Sequence, residues 1–281
     1  MQIVRTIADL RATLRDWRQA GRTTALVPTM GALHEGHMSL ARTAVARADD
    51  AVATLFVNPK QFGQGEDFQQ YPRDEAADAA QFEREGVKLL FVPDTGEVYP
   101  PGFATRVHVD GIGDILEGAH RPGFFTGVAT VVTKLLVQAL PDVAVFGEKD
   151  YQQLLVIRRM ARDLDLPVEI VGGETVREPD GLALSSRNAY LSADERAQAP
   201  LFNRALTELA SAVAAGEDVG KSSEAARVAI LAVGFGDVDY VTVRDAETLS
   251  VTLEPGRPAR VLGAVRLGTT RLIDNVPVPT A

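Results

Sequence analysis

Apolar residues recur at Ile7, Leu10, Leu14 and Trp17, three or four positions apart, and Gly21 follows them. That spacing predicts a helix closed by a glycine. Next, Thr24-Ala-Leu-Val-Pro28 is a short apolar run ended by a proline, followed by a glycine-bearing turn and a helical pattern from about Gly36 to Ala48. The order is strand, loop, helix, and it repeats. Ala51 to Val57 reads as a buried strand, Asp74 to Gly86 as a helix and Lys88 to Val92 as a strand. Gly127 to Leu140 then reads as a helix, Val143 to Phe146 as a strand, Asp150 to Leu164 as a helix and Pro167 to Val171 as a strand. This alternation predicts an α/β fold, a Rossmann-like parallel sheet with helices on both faces. Ligands of such sheets bind outside the carboxyl ends of the strands, so function is sought just after Val27, Val57 and Phe146.

The pattern changes near residue 175. Ser192 stands three residues before Glu195, the spacing of a capping box, and opens a helical stretch to about Ala214; a second runs from about Ser222 to Ala232. Short strand-like runs follow at Val238 to Val243, Ala259 to Val265 and Thr270 to Ile273. The expectation is a Rossmann-like domain over 1–175 and a smaller α+β domain over 176–281 joined by a short hinge.

Composition narrows the chemistry. The 281 residues are enough for about two domains of roughly 150 residues each. Cys 0 excludes a disulfide framework, a thiolate nucleophile and a cysteine zinc site. The formal net charge of −9, from 38 acidic against 29 basic residues, repels a polyanion at long range, so nucleic acid is not an expected partner. The longest mainly apolar stretch, Val128 to Leu140, is broken by Lys134 and is too short to span a membrane. The amino terminus interleaves Arg5, Asp9, Arg11 and Arg15 among its apolar residues, unlike a secretory leader, and the expected location is the cytoplasm.

Generic nucleotide signatures are absent or out of place. Gly63/Gly65, Gly111/Gly113 and Gly234/Gly236 lack the third glycine of a dinucleotide fingerprint. Ala215-Gly-Glu-Asp-Val-Gly-Lys-Ser222 matches a relaxed phosphate loop, but it leaves a helix rather than a strand and reads as a helix end and turn. By contrast, Pro28-Thr-Met-Gly-Ala-Leu-His-Glu-Gly-His37 follows a strand, crosses two glycines and enters a helix with His34 and His37 three residues apart. Both imidazoles can lie on one side of the first turn, where backbone N–H groups and the helix dipole favour an anion. The zinc alternative needs His-Glu-x-x-His, one residue longer. Gly147-Glu-Lys-Asp-Tyr-Gln-Gln153 also joins a strand to a helix. There Lys149 can face phosphate and Asp150 can accept from ribose hydroxyls, with Gln153 one turn on; a solvated turn is the alternative. Leu184-Ser-Ser-Arg187 sets two hydroxyls beside a guanidinium, a donor set for phosphate oxygens that also occurs in plain surface loops. Gln61, in Asn58-Pro-Lys-Gln-Phe62, offers a neutral donor and acceptor after a third strand, or simply lies in a turn.

Taken in this order, these segments resemble the pantoate–β-alanine ligase family, the pantothenate synthetases of vitamin B5 and coenzyme A synthesis. The likeness runs through Val27-Pro-Thr-Met-Gly31, His34-x-Gly-His37, Phe56-Val-Asn-Pro59 with Gln61-Phe62, Tyr71-Pro-Arg73 and Gly147-Glu-Lys-Asp150. It continues in Asp180-Gly-Leu-Ala-Leu-Ser-Ser-Arg-Asn188 and Leu267-Gly-Thr-Thr-Arg-Leu-Ile-Asp-Asn275. His34-x-Gly-His37 is also similar to the HIGH signature of the wider nucleotidyltransferase superfamily.

The resemblance implies ATP-dependent ligation of (R)-pantoate and β-alanine through a pantoyl adenylate, with release of AMP and pyrophosphate. It implies that Met30, Gly31, Ala32, Leu33, His34, Glu35, Gly36 and His37 line the ATP site, with His37 the proton donor. Gly147, Glu148, Lys149 and Asp150 would bind ATP, Val176 would contact adenine, and Leu184, Ser185, Ser186 and Arg187 would close over the phosphates. His34, His37, Lys149 and Arg187 would carry catalysis; Gln61 would hold pantoate and β-alanine, and Gln153 pantoate. Mg²⁺ would arrive on the ATP phosphates rather than on protein ligands, and the family's habit implies a homodimer. Two positions depart from the family pattern: Lys60 stands where methionine is usual, and Phe124 where histidine is usual. Those departures are the sole support for a rival reading as a nucleotide-binding regulatory protein without turnover. A second rival is a nucleotidyltransferase that needs no amine and no hydroxy-acid clamp.

Overall fold

The computed structural model describes residues 1–63 and 68–280. Gly65 of the first Gly-x-Gly pair and Ala281 lie outside the described residues. The chain divides into two compact units, one of Met1–Glu148 with Gln152–Glu174, the other of Lys149–Tyr151 with Thr175–Ala281.

The first unit runs β1 (Gln2–Val4), α1 (Ile7–Gln19), β2 (Thr24–Thr29), α2 (Glu35–Arg47), β3 (Asp50–Leu55), a 3-10 turn (Pro59–Gln61) and α3 (Glu75–Arg84). It continues with β4 (Leu89–Phe91), the short helices α4 (Thr95–Val98) and α5 (Glu117–His120), then α6 (Phe124–Ala139), β5 (Val143–Gly147), α7 (Tyr151–Asp163) and β6 (Glu169–Gly173). Its strands form a six-stranded sheet in the order β1-β4-β3-β2-β5-β6, and every pair is parallel. Each strand expected from the apolar runs is present. Strand β1 was not legible, because three residues on a sheet edge are too few to show a period.

Successive residues of a strand face opposite ways, and both faces here are apolar, as a parallel sheet flanked by helices requires. Leu26, Val52, Leu89, Phe91, Ala144 and Phe146 pack with α1, α6 and α7 through Leu14, Leu135 and Ile157. Their neighbours Ala25, Val27, Ala51, Ala53, Leu90 and Val145 pack the other way, with Ala41 and Ala44 of α2 and Phe82 of α3. The run of alanines on that side gives α2 room to lie close on the sheet.

The second unit holds α8 (Ala193–Gln198), α9 (Pro200–Ala214), α10 (Val219–Ala232), β7 (Val238–Asp245), β8 (Ala259–Leu267) and β9 (Thr270–Pro277). The three strands form an antiparallel sheet in chain order. Phe202, Leu206 and Leu209 of α9 pack with Ile230 and with Val261, Val265 and Leu272 of the strands. Ser192 and Glu195 form the expected reciprocal cap, the Ser192 Oγ accepting from the Glu195 N–H and the Glu195 carboxylate accepting from the Ser192 N–H. The helix expected to run on to Ala214 instead breaks at Ala199, because Pro200 has no N–H to continue it and starts α9 afresh. Helix α10 begins at Val219 rather than Ser222, since the Asp218 carboxylate caps it by accepting from the Lys221 N–H at 2.8 Å. Ala215–Ser222 is therefore a turn and a helix start, as its context indicated. Among the described residues, no helix is long and apolar enough to cross a membrane.

Helix α6 starts at Phe124, three residues before the expected Gly127, and Gly127 is instead where the 3-10 turn touches it. A Cβ at Gly127 would lie 2.2 Å from the Lys60 carbonyl oxygen and 2.8 Å from the Gln61 Cα. Gly127→Ala must push that turn away, at an expected cost of about 1–3 kcal/mol. Urea unfolding checks this: a midpoint equal to wild type would mean that the turn moves freely.

Candidate active site

After β1, which forms one edge, the chain enters the sheet at β2 and goes outward through β3 to β4, and later outward the other way from β5 to β6. The reversal falls between β2 and β5, which pair directly at Ala25–Val143 and Leu26–Ala144. A crevice at the carboxyl end of such a switch point is where open parallel sheets take ligands. Residues 30–34, after β2, and Gly147 and Glu148, at the end of β5, lie there.

The turn after β2 is bent and tightly held. Gly31 has φ +89° and Ala32 φ +53°, both in the left-handed region. The buried Asp78 of α3 accepts from the Ala32 N–H at its Oδ2 and from the Leu33 N–H at its Oδ1, each at 3.1 Å. Glycine is required at 31 twice over, because a Cβ there would sit 2.8 Å from that same Oδ2. On the other side the Tyr71 hydroxyl donates to the Gly31 carbonyl at 3.4 Å. Burial pushes the Asp78 carboxyl above the usual carboxylate range, and the two N–H donors oppose that shift.

His34 and His37 cap α2 reciprocally. The Gly36 N–H donates to His34 Nδ1 at 3.2 Å, the His34 N–H donates to His37 Nδ1 at 3.3 Å, and the ring centroids are 4.1 Å apart. Both Nδ1 atoms act as acceptors, so each neutral ring carries its proton on Nε2 and is a donor there. Glu35, exposed at the same turn, pairs with Arg42.

Gln61 is fixed by the buried Asn58. Asn58 Nδ2 donates to Gln61 Oε1 and to the Gly127 carbonyl, both at 3.1 Å, while its Oδ1 accepts from the Lys60 N–H and from the Tyr99 hydroxyl at 2.7 Å. Gln61 Nε2 in turn lies 3.0 Å from Met30 Sδ, which brings Gln61 to the turn after β2. Burial pushes the Tyr99 phenol well up, so it stays a donor. Gln153 on α7 is half-buried, and its amide has no hydrogen-bond partner among the described residues. Its neighbour Gln152 is used structurally, donating to the Ile112 and Ile115 carbonyls at 2.8 Å.

Within the second unit, Lys149 Nζ is 3.7 Å from Asp150 Oδ1. Val176 and Leu184 meet across a small hairpin, the Leu184 N–H donating to the Val176 carbonyl at 3.0 Å beside the Arg177–Ala183 bridge. Ser185 Oγ accepts from the Arg187 N–H and starts the 3-10 turn Ser186–Tyr190; Ser185, Ser186 and Arg187 are all half-buried. The His34 and His37 pair, Gln61 with Met30, and Val176 with Leu184 are thus each brought together by direct contacts.

Asp78 and Asn58 were missed by sequence reasoning. Asp78 lies one turn before Phe82 on the buried side of α3, an acid where the helical period calls for an apolar residue, and that mismatch was the available signal. Asn58 was overlooked because it reads as an ordinary residue before proline.

The parallel sheet, its switch point and a bent turn that sets two imidazoles at a helix start are the frame of a Rossmann-like α/β ligand-binding protein. The family model for pantoate–β-alanine ligase matches residues 2–277. The chain is 57% identical over 278 residues to the pantothenate synthetase of Paramagnetospirillum magneticum, covering 99% of this chain and 98% of that one. It is 57% identical over 280 residues to that of Caulobacter vibrioides, with 98% of each covered. The solved pantothenate synthetase of Thermus thermophilus superposes with TM-score 0.91 at 48% identity over 99% of both chains. The ligase of Francisella tularensis, solved in complex with beta-gamma ATP and beta-alanine, gives 0.85 at 32% identity, covering 100% of this chain and 99% of that one. The chain belongs to the pantoate–β-alanine ligase family, and it is an enzyme of that activity.

Asp78→Asn leaves one acceptor oxygen for two N–H groups. It is expected to cost about 1–3 kcal/mol and to speed amide exchange at Ala32 and Leu33 ahead of the sheet. Unchanged exchange at those two amides would mean that the turn holds itself.

Proposed function

We propose that this chain's residues carry out the ligation in two stages. ATP is a substrate, and the carboxylate of (R)-pantoate attacks its α-phosphorus, forming the acyl phosphate bond of pantoyl adenylate as pyrophosphate leaves. The amine of β-alanine then attacks the acyl carbon, the amide forms and AMP departs. A carboxylate is a poor acyl donor until its oxygen becomes a good leaving group, and activation of this kind rests on positioning and electrostatics rather than a protein nucleophile.

The observation that carries this reading is the reciprocally capped His34 and His37 pair at the start of α2. The His34 and His37 imidazoles and the dipole at the start of α2 favour an anion after β2, beside the bent main chain of Met30, Gly31, Ala32 and Leu33 that Asp78 holds in shape. His34 and His37 take the phosphates, with His37 giving a proton to the departing oxygens, and Glu35 and Gly36 complete the turn. Gly147, Glu148, Lys149 and Asp150 hold ATP, Lys149 at phosphate and Asp150 at ribose. Val176 touches adenine, and Leu184, Ser185, Ser186 and Arg187 supply phosphate donors. Gln61, steadied by Asn58, binds pantoate and borders β-alanine, while Gln153, with its amide uncommitted, binds pantoate.

Mg²⁺ prefers oxygen ligands and retains waters, whereas the His34 and His37 turn offers imidazole and N–H groups, with the Asp78 carboxylate turned onto main chain. The ion therefore comes on the ATP phosphates, where it neutralises charge. The enzyme acts in the cytoplasm as a homodimer, and sedimentation at micromolar concentration would test the assembly.

Exchange of labelled pyrophosphate into ATP, with Mg²⁺ and (R)-pantoate but no β-alanine, tests the adenylate stage. Exchange that requires pantoate is expected; none, in protein that binds ATP, would refute the stage order. His37→Ala should slow that exchange about 10²-fold or more, the size of losing one positioned donor, with folding intact. Gln61→Ala should chiefly raise the KM for pantoate; a mutant that lost ATP affinity alone would contradict its placement.

A further inference from the structure

Two buried polar residues close the family-like stretch on β9, Asp274 at 4% and Asn275 at 3% exposure. Asp274 accepts both arms of the Arg177 guanidinium, at 2.7 and 2.9 Å, and the Asn203 amide at 2.9 Å. Asn275 faces another way. Its Nδ2 donates to the main-chain carbonyl of Lys149 at 3.0 Å, and its Oδ1 accepts from Arg260 Nε at 2.6 Å. The Arg260 guanidinium lies over the Tyr151 ring, 3.8 Å from its centroid, and the Tyr151 hydroxyl donates to the Ala246 carbonyl at 2.8 Å. Residues 149–151 are thus fastened to the second unit by main chain and side chain alike.

We propose that Asn275 is a positioning residue for Lys149: its amide fixes the main chain from which the Lys149 ammonium reaches phosphate. The proposal rests on the reading of Lys149 as a phosphate contact. A lysine side chain is long and flexible, so its reach is set by where its main chain is anchored. The site needs a donor toward Lys149 and an acceptor toward Arg260 on one short side chain, and an asparagine amide supplies both. Aspartate in its place keeps the bond from Arg260 but sets an oxygen against the Lys149 carbonyl. The same β9 corner holds Arg177 through Asp274, at the base of the hairpin that carries Val176 and Leu184.

Asn275→Asp is the direct test, with steady-state constants measured for ATP and pantoate separately and thermal midpoints alongside. The expected result is about a tenfold rise in the KM for ATP, the worth of one buried hydrogen bond to a positioned group, with the pantoate KM changed by less than about twofold. Lys149→Ala should raise the ATP KM by itself, and adding Asn275→Asp to it should cost less than about twofold more, since groups acting as one unit are not additive. Should Asn275→Asp fail to fold, Arg260→Leu, at a half-buried position, loosens the same amide and should raise the ATP KM about threefold. A lowered midpoint with an unchanged ATP KM would make Asn275 purely structural and overturn the proposal. A full-sized effect of Asn275→Asp in the Lys149→Ala background would overturn it as well. A wild-type KM in Lys149→Ala alone would instead refute the phosphate role of Lys149, and the positioning role would fall with it.

Discussion

Strands β2 and β5 pair side by side in the middle of the first sheet, and the placing of the turn after β2 and of Gly147 and Glu148 follows from that adjacency. The chain leaves β2 toward the face that carries α2 and leaves β5 toward the face that carries α7. Two strand ends with diverging exits leave a gap between them that no connection crosses. The apolar character of both faces fixes this register, because slipping one strand by a residue would exchange its two sets of inward side chains. Burial in the sheet therefore determines where the turn after β2 begins, and the turn's own hydrogen bonds determine its shape.

An acidic chain that handles polyphosphate must solve its electrostatics locally. The net charge of −9 acts at long range and is screened within about 8–10 Å at physiological salt. Closer in, the turn after β2 sets two imidazoles at the start of α2, where the helix dipole is positive. Of the acids at the turn, Glu35 pairs with Arg42 and Asp78 is spent on the Ala32 and Leu33 amides. Its buried carboxylate shapes the turn from behind through these bonds, and a carboxylate accepting two N–H groups can grip a bent segment that has no regular hydrogen-bonding pattern of its own. Negative charge is thus used as scaffolding for a site that attracts negative charge.

The sheet was legible because its strands are apolar on both faces and separated by helices of clear period. Helix ends were less so. Pro200 splits what the periodicity reads as one helix, since apolar spacing runs smoothly through Ala199 while the missing N–H does not show in it. Asp218 caps α10 ahead of the apolar positions that suggested its start. Within the candidate site, His34, His37 and Gln61 stood out because imidazoles and an amide just after strand ends have recognisable chemistry. Asp78, Asn58 and Asn275 did not, because each works by accepting or donating one or two bonds to main chain brought near by the fold. Each has a partner far off in sequence, Leu33 lying 45 residues from Asp78, Gly127 69 from Asn58 and Lys149 126 from Asn275, and no local pattern encodes these.

Lys60 and Phe124, the departures that favoured a protein without turnover, find partners that remove that argument. The exposed Lys60 ammonium lies 5.1 Å from the Tyr99 ring centroid and 5.4 Å from that of Phe103. It is held over aromatic faces by their quadrupoles. Tyr99 is the residue whose hydroxyl steadies Asn58, and Asn58 in turn steadies Gln61. The cation therefore reinforces the support behind Gln61. The Arg121 guanidinium carbon lies over the Phe124 ring, 3.7 Å from its centroid, at the start of α6. The ring thus makes a cation–π contact at a helix end, while the His34 and His37 pair keeps its own caps within α2. Neither partner set involves the His34 and His37 rings, which are held by their own reciprocal caps.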